Sequence, residues 1–137
     1  MKKLFTVLSF FISANSIAAT CSTSKEFQLP QWTKSSNESY RYFVSNISNS
    51  DIDIEIKLFD SDNDRYIESS EPGTQFIVAS QFTSNPIESP ARLLAGHTGN
   101  ITINRIGANQ WGTAKIIWQS EACLTEAIQV SVRLCSY

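Results

Sequence analysis

The chain has few of the residues on which catalytic and cofactor sites depend. It holds one histidine and five glycines among 137 residues. A Ser-His-Asp site would have to use His97, which lies in a glycine-containing turn with no acidic residue close in sequence. No Gly-x-Ser-x-Gly motif, glycine-rich phosphate loop or zinc-ligand spacing occurs. We therefore predict a non-enzymatic protein that needs no cofactor, in which His97 is an exposed turn residue.

Clusters of basic residues are also missing from the sequence. The basic residues of the chain body are scattered singly, among them Arg41, Lys57, Arg65, Arg92, Arg105 and Arg133. Nucleic acids and anionic membranes are usually bound by clustered positive charge. Binding to either is therefore not expected.

No apolar run is long enough to span a bilayer. Residues 1–19 instead begin with two lysines, continue with a short apolar run and end in small residues, which is the pattern of a cleaved bacterial secretory signal. We expect residues 20–137 to form one domain in the periplasm or outside the cell. Without Lys2 and Lys3 that domain has nine basic and thirteen acidic residues, a formal charge of about −4.

Alternation of apolar and polar residues is abundant. Residues 51–58 place isoleucine and leucine on one face and charged residues on the other, as in a half-buried strand. Residues 89–94 are expected to form a helical turn, with Ser89 as cap and Pro90 at its first position. The pattern predicts an all-β, antiparallel two-sheet sandwich of immunoglobulin-like or fibronectin-like type. Its approximately seven strands are predicted at 26–32, 40–47, 51–58, 75–79, 101–103, 113–119 and 128–134.

Several motifs resemble a plan found in small secreted bacterial sandwich proteins of unassigned activity. These are Tyr42-Phe-Val-Ser-Asn-Ile47, the strand ending Leu58-Phe-Asp60, Leu94-Ala-Gly-His-Thr-Gly99 and Trp111-Gly-Thr-Ala-Lys-Ile-Ile-Trp118. The motifs are structural, so the resemblance implies the fold and supplies no functional residues.

Three cysteines, Cys21, Cys123 and Cys135, lie in the exported part, where a disulfide can persist. If residues 127–134 form the last strand, Cys123 and Cys135 are separated by roughly 26 Å of extended chain, too far for a bond that needs Cα atoms within about 7 Å. A first strand running parallel beside the last would bring Cys21 near Cys123. We favour Cys21–Cys123, with Cys21–Cys135 as the alternative. A free Cys135 would be either a thiol near the C-terminus or an intermolecular bridge.

An acidic stretch resembles the start of a calcium loop. Asp60, Asp62 and Asp64 alternate and could offer three oxygen ligands. The EF-hand pattern places glycine sixth and glutamate twelfth, and here those places hold Arg65 and Glu71. Because the charge of Arg65 opposes a cation, we predict a turn in which Asp and Asn side chains bind backbone amides, with no metal.

Two tryptophans are candidate interaction anchors. Trp118 shares the parity of Ala114 and Ile116, which predicts a core position. Trp111 has the opposite parity and Trp32 follows the proline region of the first strand. Either could contact a protein or glycan, although packing at an end of the sandwich is favoured for both because large aromatic side chains are mostly buried.

The leading hypothesis is a non-enzymatic exported binding module that recognises a protein or a glycan at the bacterial envelope or in the extracellular matrix. The alternative is a periplasmic inhibitor or immunity protein that blocks a hydrolase through one loop. A structural assembly subunit is the second alternative. The sequence does not distinguish among the possible oligomeric states.

The signal pattern gives the first testable prediction. Mass spectrometry of the exported protein should find a chain that starts at Ala19 or Thr20. A mature chain that retains Met1, or one that carries acyl mass on Cys21, would contradict the assignment.

Overall fold

In the part of the chain that the structure describes, eight β-strands form two facing antiparallel sheets, so the predicted all-β, two-sheet architecture is found. The structure is a computed structural model that describes residues 21–66, 77–104 and 109–136. Its strands are β1 (Thr23–Lys34), β2 (Glu38–Asn46), β3 (Ile52–Asp60), β4 (Ile77–Ser80), β5 (Ala91–Leu93), β6 (Thr98–Ile103), β7 (Gln110–Ser120) and β8 (Ile128–Ser136). The described ranges contain no helix, and hence none that could cross a membrane.

Each strand lies in the sheet opposite to that of the strand before it. One sheet has the order β1-β7-β3-β5 and the other has the order β4-β6-β2-β8. The predicted immunoglobulin-like order is not the order found, because in that fold the first two strands share a sheet. Alternation along a strand shows which side chains face inward but does not name the neighbouring strand.

Strand β5, which is additional to the seven predicted strands, occupies a segment that was expected to be helical. Ala91–Leu93 is extended and pairs with β3, placing Ala91 opposite Ile54 and Leu93 opposite Ile52. Both of its inward-facing side chains are buried. Two apolar side chains at a spacing of two match the edge of β3, which outweighs the helix-start signal of Ser89 and Pro90.

The core lies between the inner faces of the sheets, and the alternating strand β3 is at its centre. All four apolar side chains of residues 52–58 are at most 1 % exposed. Trp118 is also buried, as its parity predicted. Full burial of one such aliphatic side chain stabilises the fold by roughly 1.5–3 kcal/mol. The remaining members of the core include Tyr42, Val44, Leu93, Ile101, Ile103, Ala114 and Ile116.

The disulfide joins Cys21 and Cys123, the pair that the sequence favoured, with a Cα–Cα distance of 5.2 Å. The expected reason was wrong, because β1 does not run parallel beside β8. It pairs antiparallel with β7 in the other sheet, and Thr23 opposite Ser120 brings the two cysteines together. The bond closes a loop of 102 residues, for which the loss of unfolded-state entropy is worth about 4–5 kcal/mol.

The core position of β3 can be tested with neighbouring substitutions. Ile54→Asp places an unpaired charge at a fully buried position and should lower the free energy of unfolding by several kcal/mol. Glu55→Gln, on the opposite face of the same strand, is the control and should change it by about half a kcal/mol or less. Urea denaturation measures both, and equal effects would contradict the assignment of the two faces.

Candidate functional site

Strand β8 forms a long free edge of its sheet. It pairs with β2 along its whole length, from Ile128 opposite Asn46 to Ser136 opposite Glu38, without a register shift. Its other side has no strand partner among the described residues. The backbone N–H and C=O groups on that side are therefore a ready template for another extended chain.

The other three edges of the two sheets are less suited to accept a strand. β4 and β5 are only four and three residues long. β1 is longer, but it contains Pro30 and a register shift between Leu29 and Trp32. Short length, proline and bulges are common ways to block pairing at an edge. Within the described ranges, β8 is the long edge that has neither a proline nor a bulge.

The inward face of β8 is apolar but incompletely covered. Val132 and Leu134 lie on the same face as the fully buried Tyr42, yet they are 41 % and 48 % exposed. The facing strand β1 contacts β2 and β6. The exposure of Val132 and Leu134 shows that the opposite sheet covers the outer part of β8 only partly. Its three inward residues, Val130, Val132 and Leu134, are called the β8 strip below.

A cavity of about 400 Å³ continues the apolar surface at the start of β8. Its lining includes Phe27, Trp118 and Ile128. Phe27 faces inward from β1, opposite Ile116, but remains 37 % exposed. Lys25 donates a hydrogen bond to the Thr125 carbonyl, and its ammonium lies 5.9 Å from the centre of the Trp118 ring. The lining therefore combines apolar side chains with polar and charged ones.

Tyr42 links β2 to β1 across the core. Its side chain is completely buried, and its hydroxyl donates a hydrogen bond to the carbonyl oxygen of Pro30 in the opposite sheet. Burial raises the pKa of this phenol well above its usual value. The group therefore stays protonated and can donate this hydrogen bond at any physiological pH.

The two candidate tryptophan anchors have different surroundings. Trp32 is fully buried, and its Nε1 donates to the Thr113 carbonyl oxygen at 3.0 Å. A Cβ at Gly112 would collide with this ring and with the Phe59 carbonyl oxygen. Trp32 is therefore a packing residue and cannot anchor a ligand at the surface. Trp111 is 49 % exposed, contrary to the packing expected for it, but it lies in the sheet that does not contain β8.

The acidic stretch forms a closed turn. The Asp60 Oδ1 atom accepts hydrogen bonds from the backbone N–H of Asp62 at 3.0 Å and of Asp64 at 2.9 Å. Arg65 pairs with the Glu88 carboxylate. The carboxylate of Asp60 thus holds backbone amides, which is the predicted role of a turn aspartate. No group of three or more His, Cys, Asp or Glu residues in the described ranges is arranged to hold a metal ion, and Glu71 lies outside those ranges.

His97 lies in an exposed turn, as predicted. Its backbone N–H donates to the Leu94 carbonyl oxygen at 3.0 Å, and its own carbonyl accepts from the Asn46 N–H at 2.9 Å. Gly96, with φ of 73°, provides the left-handed conformation at this turn. The contacts of His97 in the structure are therefore backbone contacts of a turn.

A second cavity, of about 440 Å³, has a charged lining in which the arginine is already paired. Its lining includes Asp51, Asp53, Arg92 and Glu121. Arg92 donates to Asp53 at 3.1 Å, and this hydrogen bond, followed by the charge of Asp53 itself, raises the pKa of Arg92. The arginine is thus bound within the chain, and this cavity is a weaker candidate than the β8 edge.

Comparison with protein-family profiles, curated proteins and solved structures finds no match to this chain. The functional assignment therefore rests on geometry, above all on β8. The alternation of residues 128–134 predicted a half-buried strand, but no sequence signal indicated that its apolar face would remain uncovered.

The turn at residues 60–64 predicts little response to calcium. Addition of 1 mM calcium should shift the melting temperature by less than about one degree, because an ion that does not bind adds no stability. A site with an extracellular-module affinity of about 10⁻⁴ M would add roughly 1.4 kcal/mol, or several degrees. A shift of that size that disappears in Asp62→Asn would show that these carboxylates coordinate calcium.

Proposed function

We propose that this protein is a non-enzymatic exported binding module that captures an extended segment of another protein by adding it as a strand to β8. The observation that carries the proposal is the nine-residue edge with its uncovered β8 strip. In strand addition, main-chain hydrogen bonds provide affinity and alternate side chains provide specificity. Strand β8 offers both kinds of contact.

The shape of the uncovered surface favours a protein segment with apolar residues at alternate positions. Such residues would lie beside Val130, Val132 and Leu134 and would complete the inward face of the sheet beyond β1. The first of them would reach the cavity next to Phe27. Covering these exposed side chains is favourable by about 25 cal/mol for each Å² removed from water.

Export is part of the proposal. The disulfide between Cys21 and Cys123 is a kind of bond that persists in oxidising compartments. It agrees with the secretory pattern of residues 1–19, and together they support a periplasmic or extracellular location in bacteria.

A glycan is the second candidate ligand, and exposed Trp111 is the observation that favours it. Aromatic faces form carbohydrate platforms, but such sites usually combine the ring with convergent polar groups. An inhibitor that acts through one loop receives less support, because the feature found is an edge strand, whereas a structural subunit could assemble by the same strand addition.

Site-specific photo-crosslinking in the producing cells tests the proposal. A benzophenone amino acid at position 132 should crosslink to an extended protein segment, which mass spectrometry can map, whereas position 53 on the other sheet should not. A synthetic peptide of the mapped segment should bind the native protein. The double variant Val132→Ala with Leu134→Ala should weaken that binding at least about tenfold, since each truncation removes roughly 1 kcal/mol of apolar burial.

Both truncated side chains are exposed, so the double variant should unfold within about half a kcal/mol per site of the native protein. Absence of a crosslink at position 132 would contradict strand addition. Crosslinks at position 111 to polysaccharide would favour the glycan instead.

A further inference from the structure

Two arginines face each other on the outer surface of the sheet that contains β8. Arg41 of β2 and Arg133 of β8 are directly opposite in the strand register. Residues so placed on one face have Cβ atoms about 4.5–5.5 Å apart, and like charges in this arrangement destabilise a sheet. The two side chains therefore repel each other. The sequence does not reveal this, because the two residues are 92 positions apart.

Neither arginine has a carboxylate partner within the described ranges. Arg41 donates from Nε to the Thr102 hydroxyl at 2.9 Å and lies beside the Phe43 ring. Arg133 is exposed and in none of the ion pairs of the described residues. By contrast, Arg65, Arg92 and Lys115 each pair with an acidic side chain.

The strands of this sheet cannot provide the missing negative charge. β4, β6 and β8 contain no aspartate or glutamate, and β2 contains only Glu38. Glu38 has the inward parity of Tyr40 and Tyr42 and so lies on the face opposite to Arg41. The outer face of the sheet is thus left positive in a protein whose overall charge is negative.

We propose that the segment added to β8 carries an aspartate or glutamate on its outward face beside Arg133. This inference rests on the proposed strand addition and specifies the chemistry of the partner. A residue of an added strand opposite Arg133 would have its Cβ within about 5.5 Å, close enough for a carboxylate to form a charge-assisted hydrogen bond. It would also offset the repulsion between Arg133 and Arg41.

Pairing with the β8 of a second copy of this chain does not meet the requirement. The outward side chains of β8 are Gln129, Ser131, Arg133 and Cys135, none of which is acidic. Pairing of β8 with itself would therefore bring two further arginines to the face in any register that keeps the apolar strips aligned. A charged residue on an edge commonly prevents such self-pairing. The partner is accordingly a different, acidic segment.

A random nine-residue peptide library displayed on phage provides the test. Selection against the native protein should enrich peptides with apolar residues at alternate positions and Asp or Glu at a position of the other parity. Selection against Arg133→Glu should enrich Lys or Arg at that position. Arg92→Glu, an equal charge change on the other sheet, is the control and should select the same acidic peptides as the native protein.

One enriched peptide and its acid-to-lysine version then give the magnitude by isothermal titration calorimetry. The native protein should bind the acidic peptide at least tenfold more tightly at low salt, and Arg133→Glu should reverse this preference. Two outcomes would overturn the inference and leave strand addition standing. One is peptides with alternating apolar residues but no preferred charge at the other positions. The other is the same preference for acidic residues with Arg133→Glu as with the native protein. Absence of any alternating pattern would overturn both.

Two measurements on the protein alone complete the test. If Arg133→Ser dimerises and the peptides show no acid preference, Arg133 serves only to prevent self-pairing, and the inference fails. If Arg133→Glu melts several degrees below the native protein, a carboxylate of this chain already pairs with Arg133, and the inference fails as well.

Discussion

The constraint on which the structure depends is the burial of two inner faces by strands that alternate between sheets. Every strand must find partners far away in the chain, so β1 pairs with β7 and β2 pairs with both β6 and β8. Such non-local pairing has a high entropic cost before its contacts form. The core around β3 and the disulfide between Cys21 and Cys123 offset that cost.

One apolar face in this architecture remains incompletely covered. β1 lies over β2 and β6, held there in part by the hydrogen bond from Tyr42 to Pro30. The facing sheet covers the outer part of β8 incompletely, and Val132 and Leu134 remain exposed although their parity is that of core residues. An added strand would give β8 what the interior strands of the sheets have, a partner on each side and a covered apolar face.

Electrostatics add a chemical preference to that shape. The first sheet neutralises its outer face internally, with Arg92 on Asp53 and Lys115 on Glu26. The second sheet brings Arg41 and Arg133 together without an acidic neighbour among the described residues. Exposed ion pairs contribute little to stability, so the contrast bears on recognition and partner choice more than on folding. A partner that supplies negative charge to the outer face and apolar side chains to the inner face would match both surfaces of β8.

The amino-acid sequence by itself determined the class of the fold and the faces of its strands. Alternation at residues 51–58 and 128–134, and the parity of Trp118, depend only on the period of two along an extended chain. The turn chemistry of Asp60 is likewise local, because its carboxylate binds amides two and four residues away. Tertiary structure alone decided which strand lies beside which, because alternation is compatible with many neighbours. It therefore decided that residues 91–93 form a strand, that Trp32 is buried while Trp111 is exposed, and that Arg41 meets Arg133. The tertiary structure also decided that the apolar face of β8 is only partly covered, since coverage depends on the position of the opposite sheet.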